Sequence, residues 1–101
     1  MKILTEGHKY IAQNFENKES GQTIQFIEKH PQEDGSLAII NDGTTNEELL
    51  EVLIDRISYL QAKFPCKENA CCITHLQEGL MWLEKRTQDR IKRNVEGKNI
   101  K

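Results

Sequence analysis

At 101 residues, with 37% apolar and 6% aromatic residues, the chain builds one compact domain at most, and its private core is thin. A thin core calls for burial between copies of the chain, because apolar stripes need an outside surface to cover them. The net charge of -2 excludes a generally basic nucleic-acid coat.

The charge is unevenly spread. Residues 1–43 carry four Lys against seven acids, and residues 44–101 carry ten basic residues against nine acids. Between residues 84 and 93, Lys85, Arg86, Arg90, Lys92 and Arg93 outnumber Glu84 and Asp89, which makes the one electrostatic patch worth pursuing. The opening run from Met1 to His8 has no apolar segment of signal-peptide length, and no stretch is long and apolar enough to span a membrane. Three cysteines, with Cys71 and Cys72 adjacent, do not form a disulfide framework, so a cytosolic protein is expected.

Residues 1–43 read as a small antiparallel β-meander. Tyr10 to Phe15 is the first expected strand, with Ile11 and Phe15 on one face. Glu19-Ser20-Gly21 signals a turn, and Thr23 to Ile27 a second strand with Ile24 and Phe26 on one side. Pro31 and Asp34-Gly35 mark the next turn, Leu37 to Ile40 a third strand, and Asn41-Asp42-Gly43 its end.

Residues 44–101 read as a helical hairpin packed with the sheet into one domain, giving an α+β fold. The first helix spans about 45–64. Thr45 with Glu48 fits a capping box, with Thr44 and Glu47 as the competing pair. Leu49, Leu50, Leu53, Ile54, Ile57, Leu60 and Phe64 form its apolar face, and Tyr59 lies off the centre of that face. Pro65 ends the helix by removing a donor and restricting Phe64. The second helix spans about 67–94, with Ile73, Leu76, Leu80, Leu83 and Ile91 as its stripe and a frayed tail from Val95 to Lys101. Gly79 stands in its middle, at a cost of roughly 1 kcal/mol against alanine.

Trp82, Arg86 and Arg90 recur every four residues and form a column beside that stripe. Arginine suits bidentate contacts to phosphate, and an aromatic face stacks a base, so the column fits a stacking, phosphate-bearing ligand. A solvated face, with Trp82 half-buried against the first helix and Asp89 paired to Arg86 or Arg90, fits the same pattern. Asn69 opens the second helix, where free N–H groups bind anions and an amide reads an adenine edge. It also fits as an ordinary polar helix start. Asn69 and Arg86 are about 25 Å apart at the helical rise, so one small ligand reaches both only if a second protomer supplies one of them.

Cys71 and His75 lie four apart, but no four well-placed metal ligands are evident, and Cys66, Cys71 and Cys72 are expected to pack as small hydrophobes. No Ser/His/Asp set, Gly-rich phosphate loop or H-E-x-x-H is present, and His8, His30 and His75 are scattered. Neither a catalytic site, a metal nor a cofactor is expected. The residues favour a binder over an enzyme.

The run from Phe64 to Ala70, then Ile73-Thr74, Leu76-Gln77-Glu78, Leu80-Met81-Trp82-Leu83, Arg86-Thr87 and Asp89-Arg90, resembles the helical hairpin of phage anti-Thoeris nucleotide sponges, a hairpin shared with anti-CBASS sponges. The resemblance covers roughly residues 47–97. It departs from the family pattern at Gly79, where alanine is expected, and at Cys71-Cys72. It implies a phage immune-evasion protein in the cytoplasm of the infected bacterial host. Such a protein binds a TIR-generated cyclic ADP-ribose isomer, glycocyclic ADP-ribose, without cleaving it, and so blocks Thoeris effector activation.

Carried over position by position, the stacking aromatic falls on Tyr59, the base-contacting amide on Asn69, and the phosphate-binding arginines on Arg86 and Arg90. Trp82, Phe64 and Arg93 are supporting candidates. The resemblance further implies a site between protomers, homodimers that assemble into hexamers as trimers of dimers, and, in some members, cyclic oligonucleotides as second ligands. Neither membrane nor long nucleic acid is an expected partner. Two alternatives remain from the residues alone: a nucleic-acid-binding or protein-interaction module using the basic end of the second helix, and a phosphodiesterase that destroys the signal. Loss of capture without unfolding is the expected outcome for Arg86→Ala and for Arg90→Ala.

Overall fold

The computed structural model describes residues 1–93. The expected helix end at Asn94 and the frayed tail from Val95 to Lys101 lie outside the described residues. Five strands precede two helices, which makes the fold α+β: β1 Lys2–Thr5, β2 Lys9–Gln13, β3 Gly21–Gln25, β4 Glu28–Pro31, β5 Leu37–Asn41, α1 Asn46–Lys63 and α2 Lys67–Lys92. The described chain divides into two compact units, Met1–Thr45 and residues 46–93.

In the first unit, the expected meander becomes two separate sheets. β1, β2 and β3 form an antiparallel meander in that order, and β4 and β5 form an antiparallel hairpin. Sequence reading misses β1 and β4, which are short and carry little alternation. Pro31 ends β4 instead of marking the turn, a strand-end position where its missing N–H costs no ladder bond. The turn falls on residues 32–36, where Gly35 N–H donates to the Gln32 carbonyl (3.1 Å) and Gln32 N–H to the Ser36 carbonyl (2.8 Å). The Ser36 hydroxyl and N–H both donate to the Asp34 carboxylate and hold its pKa below the usual carboxylate range.

β2 stops at Gln13, so Phe15 does not share a strand face with Ile11; it is 92% exposed. Phe26 likewise leaves the β3 ladder. It bridges Thr44 in parallel, and its ring meets Tyr10 edge-on at 5.9 Å. Ile27 N–H donates to the Thr44 carbonyl (2.9 Å) and Thr44 N–H to the Gln25 carbonyl (2.8 Å). A side chain at Gly43 would collide with the Gln25 carbonyl oxygen, so only glycine allows this close passage. With Thr44 committed to the bridge and α1 starting at Asn46, the capping position falls to Thr45, as the Thr45/Glu48 spacing predicts.

The second unit is the α1/α2 hairpin. Half-buried positions spaced by three and four run through Glu47, Leu50, Ile54, Ile57 and Gln61 on α1, with Leu49 and Leu60 beside them, and through Asn69, Ile73, Leu76, Leu80, Leu83 and Thr87 on α2, with Gly79 beside them. This is the seam of coiled-coil-type packing. Ile91 misses that spacing by one residue and is exposed; Arg90 takes the next seam position instead. Leu53 and Phe64 are exposed as well, so the α1 face is narrower than expected. Among the described residues no apolar side chain is buried.

The corner is held by a side-chain clamp that no local sequence signal announces. The Gln61 amide donates to the Cys66 carbonyl (3.0 Å) and accepts from Cys66 N–H (2.9 Å), mimicking a pair of backbone bonds. Cys66 is extended at φ -150 and caps α2, its Sγ accepting from Asn69 N–H at 3.4 Å. Gln61→Ala removes both clamp bonds and is expected to lower the urea midpoint by an amount worth about 1–2 kcal/mol without changing helix content in circular dichroism.

Candidate ligand-binding surface of the helical hairpin

All candidate residues lie in the hairpin unit, but its two ends divide them. Tyr59 is in the last turns of α1 and Asn69 in the first turn of α2, so an aromatic ring and a primary amide share the corner end. Arg86, Arg90 and Arg93 stand at the far end of α2. Because α2 is one continuous helix from Lys67 to Lys92, Asn69 and Arg86 remain about 25 Å apart along it. One chain therefore does not bring Asn69 and Arg86 together.

At the corner end, Tyr59 is 56% exposed and the Lys63 ammonium sits 5.1 Å over its ring. The ammonium takes one face of this exposed ring, and its charge favours an anionic ligand nearby. Asn69 is half-buried. Its side-chain amide makes no hydrogen bond to another described residue, while its backbone is spent on the cap. Phe64 projects into solvent at the corner, 80% exposed.

At the far end, Trp82, Arg86 and Arg90 do not lie on one face. Each four-residue step overshoots a helical turn by about 40°, so Arg90 is rotated about 80° from Trp82. Trp82 is 60% exposed, with the Lys85 ammonium 5.0 Å over its ring. Arg86 is exposed, and no hydrogen bond or ion pair joins it to another described residue. Arg90 has rolled into the seam and is 7% exposed, the one buried residue among those described. Asp89 pairs with Arg93 (3.3 Å) across one turn.

The cysteines overturn an expectation. Cys66, Cys71 and Cys72 are all exposed, because the seam passes through Asn69 and Ile73 and leaves residues 70–72 on the outer side of α2. His75 faces Glu78 at 4.0 Å on the same outer side. Among the described residues no helix is long and apolar enough to cross a membrane.

Sequence comparison covers most of the hairpin together with β3, β4 and β5 of the amino-terminal unit. A relative from Bacillus phage SBSphiJ7, named Thoeris anti-defense 1, is 49% identical over 61 residues, a match covering 59% of this chain and 43% of that protein. The chain thus matches less than half the length of this curated relative. The profile of the family described as Acb2/Tad1, hairpin domain, matches residues 18–88, which include both helices up to Gln88. On that match, the chain belongs to the Acb2/Tad1 hairpin-domain family.

Proposed function

We propose that the protein sequesters glycocyclic ADP-ribose, a TIR-generated cyclic ADP-ribose isomer, without cleaving it, and thereby blocks Thoeris effector activation in the infected bacterial host. The name of the phage relative supports the anti-defence role. The observation that carries the ligand class is the exposed Arg86, uncommitted to any described partner, at one end of a hairpin whose other end offers Asn69 on α2 and Tyr59 on α1.

In this reading Tyr59 stacks on the adenine, the Asn69 amide reads its edge, and Arg86 with Arg90 holds the diphosphate. Phe64, Trp82 and Arg93 frame the site. Two protomers meet to form it, since one chain holds its own Asn69 and Arg86 about 25 Å apart along α2. Charge-assisted bonds contribute roughly 1.5–3 kcal/mol each. Stacking adds about 1–3 kcal/mol, as for bases on aromatic side chains generally. A cyclic ligand is already rigid, so little ordering entropy opposes capture. Nanomolar affinity requires about -12 kcal/mol, and burial in the shared cleft supplies the remainder.

The test is release. The protein is incubated with glycocyclic ADP-ribose, freed of unbound ligand by filtration, denatured by heat, and the supernatant is analysed by mass spectrometry. Intact cyclic nucleotide is the expected product. A linear product identifies an enzyme, and an empty supernatant removes the sponge reading.

A further inference from the structure

We propose that Asp42-Gly43 is a self-modification site, at which the Gly43 backbone nitrogen closes on the Asp42 side chain to form a cyclic imide that opens to isoaspartate. The chain has two Asp-Gly pairs, Asp34-Gly35 and Asp42-Gly43, and both aspartates are exposed. Glycine hinders such a ring closure least, because its α-carbon beside the attacking nitrogen carries no side chain. Sequence alone treats the two pairs alike, whereas the structure separates them.

At the first pair both reacting groups are committed elsewhere. The Ser36 hydroxyl and N–H (2.9 Å) donate to the Asp34 carboxylate and keep it ionised, the form least open to attack. Gly35 N–H donates to the Gln32 carbonyl at 3.1 Å. At the second pair the two groups face each other. Gly43 N–H donates to Asp42 Oδ1 at 2.9 Å, so the carboxyl carbon, one bond beyond that oxygen, lies close to the nitrogen that must reach it.

The reaction needs no partner but water. The Gly43 nitrogen adds to Cγ of the neutral Asp42 carboxyl group, a C–N bond forms, and the carboxyl hydroxyl leaves with the amide proton as water. Water then adds to the imide. Attack at Cγ restores aspartate, and attack at the backbone carbonyl breaks its bond to nitrogen and leaves the chain running through the side-chain carbonyl. The main chain is then one atom longer just before Gly43, which already passes too close to the Gln25 carbonyl for any side chain. Thr44 follows, and its backbone bonds to Gln25 and Ile27 would have to shift with it.

The test incubates the full chain for several weeks at physiological temperature and neutral pH, folded and in urea. Digests are analysed by mass spectrometry for peptides lighter by one water. Methyl transfer from S-adenosylmethionine by an isoaspartate methyltransferase reports the opened product. In the folded chain the yield at Asp42 is expected to exceed that at Asp34 by about tenfold. In urea the two pairs react alike, so folding lowers the yield at Asp34 and not at Asp42. Asp42→Glu, which would need a larger ring, is expected to abolish the signal at position 42, and Ser36→Ala to raise it at Asp34. Equal yields at the two pairs in the folded chain overturn the assignment. So does a yield at Asp42 that falls on folding, or a signal at position 42 that survives Asp42→Glu.

Discussion

Chains carrying Asn69→Ala and chains carrying Arg86→Ala, each unable to capture glycocyclic ADP-ribose alone, will recover binding when refolded together. In a mixed dimer, one cleft joins the intact Asn69 of the Arg86→Ala chain to the intact Arg86 of the Asn69→Ala chain. The other cleft carries both lesions. Random pairing makes about half the dimers mixed, so about one cleft in four is whole, and calorimetry should return that stoichiometry at wild-type affinity. A site built within one chain gives no recovery, because every cleft in the mixture then carries a lesion. The contrast follows from α2 being a single uninterrupted helix, which keeps Asn69 and Arg86 at opposite ends of each chain.

The two arginines will separate when stability is measured alongside capture. Arg86 is exposed and joined to no described partner, so Arg86→Ala should shift unfolding by no more than about 0.5 kcal/mol while abolishing capture. Arg90 is 7% exposed, and truncating it leaves a void in the seam along with any group it satisfied. Arg90→Ala should therefore lose capture and also cost roughly 1–3 kcal/mol in urea unfolding. This corrects the expectation that both changes spare the fold. Equal stability of the two variants would show that the buried guanidinium contributes nothing to the folded chain.

The hairpin was legible because its signals are local and repeated. The three-four alternation runs for most of each helix, Pro65 stops α1 after Lys63, and the helix bounds fall within about two residues of expectation wherever they are described. The sheets were harder. β1 and β4 are four-residue strands whose membership depends on the register of their neighbours, and Glu28-Lys29-His30-Pro31 has no alternation to read. The cysteines were misjudged because burial was assigned by residue type, whereas a one-residue offset from the seam decides it. The same offset hid the difference between Arg86 and Arg90. Both are arginines of one four-residue column, and only the drift of the helix puts one outside and the other in. In the proposed site Asn69 and Arg86 come from different chains, a pairing that no periodicity within one chain encodes.

The clamp of Gln61 on Cys66 has a kinetic corollary. It closes a loop of only a few residues, so chain reversal needs no distant segment and little entropy is spent in reaching it. Contacts propagating from there along the seam join positions close in sequence first, the arrangement associated with folding in microseconds to milliseconds. The hairpin would then emerge early from the unfolded chain, before the slower strand pairings of the amino-terminal unit.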